Sequence, residues 1–176
     1  MSELFYIASA IAVVSTAMVV TRLNAVHALL YLIVSLLSVA LVFLSLGAPF
    51  AAALEVIIYA GAIMVLFVFV IMMLAMGPNN SSQERGVLAP RVWIGPGFLA
   101  SILVIELLFL FLRSPAPAAA GLPVEPKQVG ISLFGPYMIG VELASLLLLS
   151  GIVGAYHLGR RDRGSKPNGR DRGERR

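Results

Sequence analysis

The sequence predicts an all-α integral membrane protein with five transmembrane helices, its N-terminus outside and its C-terminus in the cytoplasm. Three observations carry that reading. Hydrophobic residues make up 59% of the 176 and charged residues only 12%, about half the ~25% typical of soluble domains. Lipid rather than water is therefore the solvent this surface suits. Five apolar runs, at about 4–21, 25–46, 51–76, 92–112 and 137–157, match the ~20 residues that cross a ~30 Å hydrocarbon core. None of them shows the ten-residue alternation of a barrel strand, and a helix satisfies its own backbone groups in lipid.

The elements follow in order. The first two runs are joined by TRLN (21–24) and the next two by GAPF (47–50). Joints this short make the first three helices antiparallel neighbours. Longer connections occupy 77–91, which contains GPNNSSQERG, and 113–136, which contains SPAPAAAGLPVEPK. Residues 1–159 thus form one five-helix membrane domain. Residues 160–176, RRDRGSKPNGRDRGERR, form a basic tail whose like charges favour solvation and partial disorder. The opening MSELFYIASA lacks the basic stretch of a signal peptide, so the N-terminus is expected to be retained. No internal repeat is visible, which counts against an inverted-repeat transporter.

Charge sets the orientation. Arg22, Arg85, Arg91 and eight basic residues of the tail fall on one side of a five-span chain; Arg113 and Lys127 fall on the other. Basic loops stay in the cytoplasm, so the tail is cytoplasmic and the N-terminus outside. The tail reads as a topology anchor, and no nucleic-acid partner is expected. There is no cysteine and there are only two histidines, so neither disulfides nor a thiolate, zinc or haem centre within this chain is expected.

The chemistry of interest lies in the polar groups inside the spans. Glu55, Glu106 and Glu142 fall within apolar runs. An ionised carboxylate facing lipid costs several kcal/mol, so each must face protein or water or hold a proton. Glu55 and Glu142 lie about one turn into their spans and suit either a hydrated face or the cap of a helix N-terminus. Glu106 is deeper and suits a packing hydrogen bond to a neighbouring subunit or a relay. His27 and His157 lie at cytoplasmic span ends, suited to lipid phosphates or proton entry, and Trp93 and Tyr137 to the interfacial belt.

The third span, EVIIYAGAIMVLFVFVIMML (55–74), is the most informative. Glu55 and Tyr59 are four apart and share a helix face, and Ala62, Leu66 and Phe69 continue that stripe. Its outer half is polar and its inner half dry. Gly61 leaves a gap in the side-chain surface. Two readings follow: a notch for close helix packing, or a weak point at which the helix bulges to a π turn.

Five stretches together resemble one family: NAVHALLYL (24–32), SLGAPFAAALEVIIYAGAIMVLFVFVIMML (45–74), VWIGP (92–96), VGISLFGPY (129–137) and VELASLLLLSGIVGAYHLGR (141–160). The chain is similar, from about residue 5 to 160, to the membrane subunit called J, or chain 6, of proton-pumping NADH–quinone oxidoreductase, respiratory complex I. The resemblance implies a subunit that binds no cofactor itself, within an enzyme that carries FMN, iron–sulfur clusters and quinone. Its implied partners are the quinone-chamber subunit, the small three-helix subunits and the first antiporter-like subunit. It also implies a π-bulge in the third helix, whose conversion to regular α-helix opens or closes a water path for protons. Carried over, the gate falls at Tyr59, Gly61 and Val65, with Glu55 feeding its hydrated side and Leu66 and Phe69 in the dry plug. Glu142 matches a position that is acidic in bacterial relatives. Glu106 receives no role from the resemblance. A purely structural scaffold and a small independent proton or cation transporter are the alternative functions.

Overall fold

The computed structural model describes residues 2–75, 90–112 and 124–160. Residues 76–89, 113–123 and 161–176, with most of the two long connections and nearly all of the basic tail, lie outside the described residues. Every element among the described residues is helical. Five helices are long and apolar enough to cross a membrane: Glu3–Thr21, Ala25–Ser45, Pro49–Met73, Trp93–Leu112 and Met138–Gly159. The chain divides into two compact units, Met1–Gln128 and Val129–Arg176.

In the first unit, α1 (Ser2–Thr21) and α2 (Ala25–Ser45) form the most extensive pairing. The tight joint between them depends on Asn24, whose side-chain oxygen accepts from the Val26 and His27 backbone N–H groups at 3.0 and 3.2 Å. This caps otherwise unpaired donors at the start of α2. Small residues let the two helices approach. Ala8, Ser15, Ser35 and Ser38 are all buried, and the hydroxyls of Thr16 and Ser35 share a hydrogen bond across the interface at 2.7 Å. Small side chains and hydroxyl bridges are how helices associate where lipid removes the hydrophobic drive between them.

The next joint depends on Gly47, at φ +77°. The Ala48 N–H reaches the Phe43 carbonyl at 3.0 Å and the Gly47 N–H reaches Leu44 at 3.2 Å. These are the paired bonds of a Schellman stop, which requires a left-handed residue just past the helix. Pro49 then opens α3 (Pro49–Leu54), where its missing N–H is harmless. The Gly47 carbonyl also accepts from Val124 at 3.1 Å. Beyond α3 the span continues as a π-helical segment, Glu55–Ile63, and then α4 (Met64–Ala75).

Helix α5 (Pro90–Leu112) completes the unit. Its Leu103 meets Ile11 of α1 and Val34 of α2 in the core, with Leu37, Leu41, Leu99, Ala100 and Ile102 around them. Gly95 receives the ring of Tyr31 so closely that an added Cβ would overlap the Tyr31 hydroxyl.

Within the long connection at 113–136, Pro126–Phe134 forms a short helix, α6. Pro126 supplies the fixed φ of a first helical position. In the second unit α7 (Met138–Gly159) starts after a turn at 135–137, in which the Tyr137 N–H bonds to the Ser132 carbonyl at 3.1 Å.

Candidate functional site in the third span

The third span is where regular α-helix gives way. From Glu55 to Ile63 the backbone winds as a π-helix for 9 residues, with hydrogen bonds reaching one residue further than in α-helix. Single π turns are the usual form, and they cluster at functional sites. The flanks α3 and α4 are ordinary α-helix, and the π segment and α4 both pack along α2.

The sequence EVIIYAGAI explains why the rewinding falls here. Isoleucines and valine at 56–58 crowd an α-helical turn, and Ala60, Gly61 and Ala62 leave little side-chain packing to resist rewinding. A Cβ placed on Gly61 would lie 3.1 Å from the Val56 carbonyl oxygen, five residues back on its own helix. That is tighter than side-chain carbons ordinarily tolerate, so any larger residue needs the carbonyl to yield. The notch at Gly61 is therefore filled, within this chain, by the helix's own wider turn.

Of the residues the sequence singles out, Glu55, Tyr59 and Gly61 fall inside the π segment, and Val65, Leu66 and Phe69 follow it directly in α4. Glu55 is half-buried, while Tyr59 at 49%, Val65 at 67%, Leu66 at 60% and Phe69 at 53% remain exposed on the chain alone. Met64 is the residue of this region that turns inward, at 3%. Tyr59, Val65, Leu66 and Phe69 thus face away from the subunit's own core.

The remaining candidates lie apart from it. His27 stands beside Tyr31 with ring centroids 5.1 Å apart, and the Arg22 guanidinium lies 5.6 Å from the Tyr31 ring centroid. The buried His27 Nε2 has no hydrogen-bond partner among the described residues. Glu142 is exposed near the start of α7, in the second unit. Glu106 is buried in the first. Sequence reasoning passed over Gly95 and Ser45. Gly95 lies within VWIGP, beside a proline, and Leu99, Leu103, Glu106 and Leu110 recur at helical spacing, a stripe that marks Glu106 as turned inward. Among the described residues no group of three or more His, Asp and Glu is placed to hold a metal ion.

These features define a multi-pass helical membrane protein with a rewound third span. The model of NADH-ubiquinone/plastoquinone oxidoreductase chain 6 matches residues 15–158. NADH-quinone oxidoreductase subunit J of Pseudomonas aeruginosa is 58% identical over 159 residues, covering 90% of this chain and 96% of the relative. The subunit J proteins of Escherichia coli K12 and of Buchnera aphidicola from Schizaphis graminum are 55% and 51% identical, covering 90% and 91% of this chain and 86% and 98% of theirs. The chain belongs to the chain 6 family of NADH–quinone oxidoreductase, as a multi-pass subunit of that multisubunit enzyme in the bacterial inner membrane.

Proposed function

We propose that this chain is a non-catalytic coupling subunit of the oxidoreductase, linking quinone reduction to proton translocation through a gate in its third span. The observation that carries this reading is the π-helix at Glu55–Ile63, with Gly61 set against the Val56 carbonyl. Conversion between π and α winding shifts the register of everything downstream by one residue. That turns Val65, Leu66 and Phe69 by about 100°. Glu55 and Tyr59 hydrate one side of the segment, and the apolar stretch blocks water until it rotates. FMN, iron–sulfur clusters and quinone belong to the parent complex. The partners are the quinone-chamber subunit, the three-helix subunits and the first antiporter-like subunit, which cover the exposed stripe of α4.

Gly61→Val tests the gate. The branched side chain penalises the π form and biases the segment toward one state. In membranes with matched amounts of assembled complex, electron transfer from NADH to a soluble acceptor should be unchanged, because those centres lie elsewhere. Quinone reduction and coupled proton pumping should fall about tenfold, equivalent to ~1.4 kcal/mol, and Tyr59→Phe should do less. Parental pumping in assembled Gly61→Val would leave the third span an ordinary packing helix and the chain a scaffold.

The orientation is part of the same proposal. Single cysteines at Ser165 and Ser114, in a chain with no native cysteine, report it through a membrane-impermeant maleimide. Only the Ser114 site should label in intact cells, and labelling at Ser165 would reverse the topology.

A further inference from the structure

Glu106 is the one carboxyl group that the fold buries among the described residues, at 8% exposure, and the gate makes no use of it. It continues the stripe of Leu99 and Leu103 on α5, the face that meets α1 and α2. Both carboxyl oxygens are shut off from solvent, and neither has a hydrogen-bond partner among the described residues. They border a cavity of about 20 Å³ whose walls are Leu4, Leu41, Ser45 and Leu110. That is room for one water molecule and not for an ion with its hydration shell. A carboxylate lined by three leucines, with no donor to it among the described residues, is strongly disfavoured against the neutral acid. The neutral acid has an O–H to donate. Ser45, which lines the same cavity, already gives its hydrogen to the Val42 carbonyl at 2.7 Å, which leaves its oxygen free to accept.

We propose that Glu106 and Ser45 form a proton-holding water site inside this subunit. Glu106 stays the neutral acid and donates its O–H to one internal water. That water donates in turn to Ser45 Oγ, and its second hydrogen remains for the open side of the cavity. Leu4 lies in the first turn of α1 and Ser45 ends α2, so the site sits near one membrane surface, where protons exchange with solvent. It is separate from the π segment in both residues and helices, and its test does not depend on the gate.

The whole respiratory assembly, purified with its lipids, provides the test. An infrared difference spectrum between the parent and Glu106→Gln complexes at neutral pH should contain the carbonyl stretch of a protonated carboxylic acid. In Ser45→Ala that band should move toward the frequency of an acid without a hydrogen bond. Glu106→Leu should assemble at the parental level, because replacing a neutral acid and its water leaves no charge stranded. A carboxylate band in place of the acid band, together with lost assembly of Glu106→Leu, would overturn the proposal and make Glu106 the ion-pair partner of a neighbouring subunit. An acid band that Ser45→Ala leaves unmoved would remove the water link and overturn it as well.

Discussion

Two faces of the first unit solve the problem of packing in lipid in opposite ways. Where α1, α2 and α5 meet, small residues and hydroxyls bring backbones close, and the contacts are completed inside the subunit: Ile11, Val34 and Leu103 are each at most 6% exposed, and Tyr31 fills the space that Gly95 leaves. The third span has the same kind of small residues at Ala60, Gly61 and Ala62, yet there the space is taken up by the helix's own rewinding. A glycine opposite a neighbouring ring makes a lock. A glycine facing its own carbonyl is, on the gate proposed above, a joint that changes its winding. The composition is alike, and the neighbour decides which results.

The contrast is broken most severely at the lock. Gly95→Ala forces the Tyr31 ring out of its seat, an overpacking cost of about 1–3 kcal/mol. The amount of subunit recovered in assembled complex, measured on native gels, should drop several-fold. Adding Tyr31→Phe removes the first atom in the way and should restore part of it. No rescue would mean that Gly95 matters for something other than Tyr31.

At the joint, Gly61→Ala should leave assembly untouched and lower coupled pumping by about two- to fivefold, equivalent to ~0.4–1 kcal/mol. It demands less room than valine, so its effect should fall between parent and Gly61→Val. An assembly defect equal to that of Gly95→Ala would show both glycines to be locks. Glu55→Gln keeps hydrogen bonding but removes charge, and should assemble fully with pumping reduced less than twofold, an effect of under ~0.4 kcal/mol. Glu142→Gln should behave likewise. Complete loss of pumping in assembled Glu55→Gln would make that carboxyl an obligate carrier. The smallest effect belongs to Ser35→Ala. It removes the Thr16 bridge, but Thr16 keeps its bond to the Ala12 carbonyl at 2.7 Å. Hydroxyl bridges between membrane helices average ~0.6 kcal/mol, so thermal stability of the complex should barely move.

Some of this was legible along the chain because it depends on neighbours in sequence. The tight joints at TRLN and GAPF, and the weak stretch around Gly61, need only local sterics and hydrogen bonding. Helix α6 was missed because a short helix after a proline-rich stretch has no long periodic run to announce it. Gly95 and Ser45 were missed because Tyr31, which Gly95 receives, and Glu106, which lines the same cavity as Ser45, lie far away in sequence. That Glu106 falls within an apolar run was legible, but the direction in which it points was not.

The sequence by itself determined the solvent and the number of spans, and it marked Gly61 as either a packing notch or a weak point in the third helix. Each follows from totals and spacings along one chain: apolar length against bilayer thickness, and side-chain bulk within a single turn. The tertiary structure decided which glycine would lock and which would yield, and that Glu106 turns toward Leu4, Leu41 and Ser45. Those outcomes depend on which atoms from other helices arrive within a few ångströms, and helix packing sets that in three dimensions.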